Sequence, residues 1–196
     1  MPLWGATDSD ESKPKFLTDE QKKLVYATKS GWVLENGALT GNDNPNADPE
    51  ILVAIGELAT SIGSADITEI EFISTAFDVS AGGTIQVRAR FNEEVDVDTS
   101  GGVPFLAITN GNQGTGSGRG PHNAAYSSGT GTNELVFAIT IGAAAGSIAA
   151  DDVLVVGANA INLNSGTIKD AGTSTNSTIT NVEAIGTAAG SITAVA

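Results

Sequence analysis

The chain has 196 residues, a net charge of −14 and a pI near 4.1, with no cysteine and one histidine. These counts exclude a disulfide frame, a thiol nucleophile, a zinc-cysteine site and any metal centre built from several histidines. The acidic balance opposes nucleic acid and anionic membrane partners, which select basic surfaces. No run approaches the roughly 20 apolar residues of a membrane span, and no secretory signal is expected from the first 30 residues. Val, Ile, Leu and Phe make up about a quarter of the chain, above the roughly 20% below which disorder is expected.

Composition shifts near residue 60. Five of the six lysines precede residue 30, and both tryptophans lie before residue 33. Beyond residue 60 the background is Gly, Ala, Ser and Thr. The expected organisation is an N-terminal arm, 1–63, and a β domain, 64–196.

In the arm, Thr18 and Gln21 stand at capping-box spacing, and acidic Asp19 and Glu20 precede basic Lys22 and Lys23, as the helix dipole favours. A two-turn helix from Asp19 to Val25 is predicted. Such a helix is marginal without docking. Gly31 to Glu35 reads as a strand. Asn42 to Pro49 is a polar, proline-interrupted loop. Ile51–Ile55 fits either a buried strand or a helix stripe with Leu58 and Ile62; its β-branching and Gly56 favour the strand, giving a candidate strand pair.

The β domain alternates with period two. Ile85, Val87, Ala89 and Phe91 share one face, with Gln86, Arg88 and Arg90 on the other; Leu135, Phe137, Ile139 and Ile141 share another. Further strands are expected at Ile67–Ser74, Val95–Val97, Phe105–Ile108, Ala124–Ser127, Val153–Val156 and Thr178–Ala184, between Gly-rich turns. No helical period is read after residue 64. Short strands at this spacing predict a mainly β, antiparallel sandwich. Ala143–Ala150 and Ala171–Ser177 read as loops.

No chemical constellation emerges. His122 stands at the end of a polar loop, Asn110–Asn123, as an exposed histidine with no nucleophile or orienting acid assignable to it. Arg119, the one charge of that loop, could reach a carboxylate across an interface. Both are candidate loop contacts. Glu93-Glu94-Val95-Asp96-Val97-Asp98, Asp151-Asp152 and Asn42-Asp43-Asn44 raise the question of calcium. The EF-hand spacing is absent, and alternation turns Glu94, Asp96 and Asp98 outward as a solvated edge. Calcium stays open, and no cofactor or metal is expected. With no phosphate loop, nucleophile elbow or aromatic sugar platform in the β domain, no enzymatic activity is expected. The arm concentrates aromatics. Trp4, Phe16, Tyr26 and Trp32, with Lys13, Lys15 and Lys22, are either anchors for a partner or a patch that folds back onto the β domain.

Two resemblances follow. Gly83–Val95, Pro104-Phe105-Leu106, Ala125–Phe137 and Gly166–Gly172 resemble, in that order, the bacterial Ig-like modules of repetitive surface proteins. The likeness spans about 66–185 and departs in the Asn110–Asn123 loop and past Ala184. It implies an Ig-like sandwich with an adhesive or structural role. Leu3-Trp4-Gly5, Glu11–Lys15, Leu17-Thr18, Tyr26-Ala27-Thr28, Gly31-Trp32-Val33 and Ile51–Gly56 resemble the N-terminal segment of small structural proteins of marine contractile-tailed cyanophages. Together they imply a virion component, foremost a capsid decoration or cement protein docked by its arm on the major capsid protein or other virion subunits, with contacts between copies. The alternatives are a tail, neck or fibre component, or a bacterial surface adhesin or carbohydrate-binding module.

Overall fold

The computed structural model describes residues 13–14, 16–35, 38, 44, 48–110 and 119–196. It is mainly β. The arm contributes α1 (Asp19–Lys23), β1 (Val25–Thr28), β2 (Gly31–Leu34), β3 (Glu50–Ala54) and α2 (Leu58–Ser61). The remainder contributes β4 (Ile67–Phe72), β5 (Phe77–Asp78), β6 (Gly83–Asp98), β7 (Phe105–Asn110), β8 (His122–Ser128), β9 (Thr132–Ile141), β10 (Val153–Asn162), β11 (Thr167–Asp170), α3 (Glu183–Ala188) and β12 (Ser191–Val195).

The capping box forms as its spacing predicts. The Gln21 N–H donates to Thr18 Oγ1 at 3.2 Å, and the Thr18 N–H donates to Gln21 Oε1 at 3.0 Å. The helix ends at Lys23, two residues short of the expected boundary, because Val25 is buried as the first residue of β1. β1 was not foreseen. It pairs antiparallel with β2, and β2 pairs antiparallel with β3, so the arm carries three strands rather than two. The β1–β2 turn needs Gly31, whose φ of +134° places any added Cβ against the Val53 carbonyl oxygen.

The 16-residue strand β6 organises the rest. Its first half pairs with β4 and with β9, and its last four residues pair with β11. Between Arg90 and Val95 it loses register with β9, and in that interval Ala27 of β1 bridges to Glu93 in parallel. The sheet continues β9–β8–β7–β10–β12 and ends on β5, which pairs parallel with β12. It is therefore mixed, antiparallel except at these two junctions. α3 packs on both β4 and β10, two strands with no ladder between them. The sheet thus folds over one apolar core in a sandwich-like arrangement.

Two apolar clusters result. The larger takes Ile85, Val87, Ala89 and Phe91 from β6 and Leu135 and Phe137 from β9, with partners from β4, β7, β10 and β12, all after residue 64. The smaller contains Leu17, Val25, Ala27, Trp32, Leu34 and Leu58, all before residue 64. Two expectations fail at the C-terminal end. Thr178–Ala184 is not a strand, because the Asn181 side chain accepts from the Ala160 N–H and donates to the Gly157 carbonyl, both at 2.9 Å, and α3 follows. The segment past Ala184 supplies β12, whose Ile192 and Ala194 enter the core.

Phe91 and Phe137 are buried at 1% and 0% exposure. Truncating either to Ala should lower the unfolding free energy by about 3–5 kcal/mol, measured by urea denaturation with the far-ultraviolet β signal as readout.

Candidate functional site

The outer face of β6 carries a charge cluster where the arm meets the β domain. Alternation turns Arg88 and Arg90 away from the main core, and cross-strand pairing sets Glu71 opposite Arg88 and Glu69 and Glu134 opposite Arg90. Arg90 Nε donates to Glu134 Oε1 at 2.5 Å and its NH1 to Glu69 Oε2 at 2.6 Å, while Glu35 of the arm lies 3.6 Å from Nε. Arg88 bonds Glu134 at 3.1 Å and also Glu71. Lys23 of α1 reaches Glu69 at 3.6 Å. Asn133 donates to Glu35 Oε1 at 2.9 Å. Burial pushes the Glu35 carboxyl above its ordinary range, against the pull of Asn133 and the two arginines. The Arg90 side chain is only 9% exposed, because arm residues cover it.

A second cluster closes the base of the loop between β7 and β8. Asp152, fully buried, accepts from Arg119 Nε and NH2 at 2.9 Å each, from Asn110 Nδ2 at 3.2 Å and from the Ala149 N–H at 2.8 Å. The Asn110 amide nitrogen thus points at Asp152, so its Oδ1 accepts from His122 Nε2 at 3.2 Å. This assigns the ring proton to Nε2. Burial lowers the His122 pKa, with the Asp152 charge opposing.

A third cluster lies inside. Glu93 and Asp170 are 1% and 0% exposed, and both Glu93 oxygens and Asp170 Oδ2 lack a hydrogen-bond donor. Asp170 Oδ1 accepts from the Thr173 N–H at 2.7 Å. Burial first, then the charge and contact of Asp170, then Asp66, push the Glu93 carboxyl up to about 8.

The residues singled out in the sequence fall in different places. Trp4 and Lys15 lie outside the described residues. Tyr26 and Trp32 are 7% and 1% exposed. This corrects their reading as partner contacts: both are turned inward by the β1–β2 hairpin, and burial pushes the Tyr26 hydroxyl up to about 12. Lys13 donates to the Lys22 carbonyl at 2.8 Å, and burial lowers its ammonium to about 8 despite Glu35 and Glu69. Lys22 pairs with Asp19 at 3.1 Å. Phe16 alone of the described arm aromatics faces outward, at 67% exposure. Arg119 meets a carboxylate of its own chain rather than one across an interface. His122 is buried on β8, not exposed, because its ring completes the Asp152 cluster. Sequence reasoning missed Asp170 and weighed Glu93 only as part of the acidic run Glu93–Asp98, not as a buried residue. The signal was present for Glu93: the alternation that turns Glu94 outward turns Glu93 inward with Phe91 and Val95. No family model, curated protein or solved structure matches the chain.

Two outcomes are expected. Arg90→Met removes the cation shared by Glu35, Glu69 and Glu134, leaving Glu134 to Arg88 and Glu69 to Lys23, and should cost about 3 kcal/mol, read by chemical denaturation with tryptophan fluorescence. Glu93 holds a proton in the fold up to about pH 8, whereas its ordinary value is 4.5. Its contribution to stability is therefore constant below the lower value, falls as pH rises between the two, and levels off above the higher. In chelator-treated protein, Glu93→Gln should flatten this decline and raise the melting temperature above wild type at alkaline pH.

Proposed function

We propose that the chain is a non-enzymatic structural protein of a virus particle, a capsid decoration protein with an Ig-like β-sandwich. In this reading it is assembled in the host cytoplasm and seated through its arm on the major capsid protein or other virion subunits, with copies touching on the particle. The observation that carries the reading is the arm's construction. Its three strands and small core are clamped to the β domain by Arg90, Glu35, Glu69 and Glu134, so arm and domain act as one rigid piece. Phe16 remains exposed on it as an apolar anchor. The arm residues that resemble cyanophage structural proteins give the particle its kind.

Most described lysines of the arm already have partners in the chain, so docking on a capsid subunit rests on apolar contact more than on charge. Phe16→Ala should weaken association with particles by about thirtyfold or more, the effect of losing an aromatic hot spot, with little change in melting temperature. Mass spectrometry of purified particles, quantified against the major capsid protein, measures incorporation. Absence of the wild-type chain from particles sinks the reading, and undiminished incorporation of the variant sinks the role of Phe16.

A further inference from the structure

We propose that Glu93 and Asp170 form the heart of a binding site for a divalent cation of the calcium class, at the floor of the cleft between the arm and the β domain. Three carboxylate oxygens there, Glu93 Oε1 and Oε2 and Asp170 Oδ2, are buried without a donor. The Ser177 hydroxyl, on a residue 8% exposed, is likewise unpartnered. The Ser177 N–H bonds to the Ile168 carbonyl at 3.0 Å, which sets Ser177 beside β11 on the strand face that Ile168 shares with Asp170. Three oxygens without donors thus belong to the neighbouring strands β6 and β11, and a fourth to Ser177 beside β11.

Buried carboxylate oxygens require a proton or a positive partner, because an unpaired buried carboxylate is costly. Among the described residues no cation is set against this pair. Arg88 and Arg90 occupy the opposite face of β6, committed to the outer cluster. Lys29, at the cleft, acts on Glu94. Asp66 adds negative charge to Glu93.

A cavity of about 330 Å³ lies beside the pair, lined by Thr28, Ser30, Ala59, Gly172 and Glu93 itself. Gly172 keeps a cradle clear: a Cβ there would lie 3.0 Å from the Ala59 carbonyl oxygen and 3.1 Å from Asp170 Oδ1. Among the described residues no third acidic, cysteine or histidine ligand gathers. Calcium accommodates this, since it accepts carboxylate, hydroxyl, carbonyl and water oxygens in a sphere of six to eight. Magnesium, which keeps its waters and demands a strict octahedron, fits less well. The bound cation replaces the proton that otherwise neutralises the pair. It draws together α2, β6 and the turn after β11. The proposal is independent of the reading as a virion protein.

The test uses the whole chain, stripped with a chelator and titrated with calcium chloride by calorimetry at pH 8, beside melting curves. One site is expected, with the melting temperature raised by about 5–10 °C at roughly a hundredfold excess over Kd. Glu93→Gln and Asp170→Asn, each the shape of the protonated side chain, should stay folded and lose that response. Absence of heat and of a melting shift at millimolar calcium in the wild type overturns the proposal and leaves the pair sharing a proton. Retention of the full response by both variants overturns it as well, because the calcium is then held elsewhere.

Discussion

Arg90 ties the arm to the β domain because it is a charge on the outer face of a strand whose outer face is covered. A two-faced strand in a sandwich ordinarily shows its outer residues to water. Here the outer face of β6 is covered, and the guanidinium lies against Glu69, Glu134 and Glu35. Once that planar cation is buried, its carboxylates must come to it, because a buried charge left without a partner is strongly destabilising. Two of the carboxylates come from flanking strands and one from the arm. The position of the arm is therefore an electrostatic requirement as much as a hydrophobic one.

The same strand explains how two apolar clusters coexist in one chain. β6 is too long for a single partner. Where β9 slips out of register, the open edge accepts Ala27, and β1 is laid into the sheet. Glu93 sits at this seam, between Phe91 and Val95 along the strand and Ala27 across it. It is the position where the main core gives way to the smaller one, and a carboxylate there is buried by both.

Strand periodicity and turn chemistry were legible in the sequence, and so was the capping box. Alternation in 83–98 and 132–141 depends only on which residues are apolar, and it placed Phe91 and Phe137 inward and the two arginines outward. What covered the arginines was not legible, since Glu35 and Glu134 are far from them in sequence. The direction of Tyr26 and Trp32 depended on a hairpin whose first strand is four residues long and follows a helix signal directly. α3 escaped because Glu-Ala-Ile-Gly-Thr-Ala has too few large side chains for a helical stripe. β12 escaped because a run of Ser, Thr and Ala resembles loop. The Asp152 cluster joins residues 110, 119, 122 and 152, and no local pattern couples them.

That cluster also ties strand ends together from beneath. Asp152 holds Asn110 and Arg119 directly, and Asn110 in turn holds His122. Asn110 ends β7, His122 begins β8 and Asp152 immediately precedes β10, so three neighbouring strands share one buried charge at the same rim of the sheet. That rim is pinned by an acid, where the interior of the sheet is held by its ladders and apolar faces.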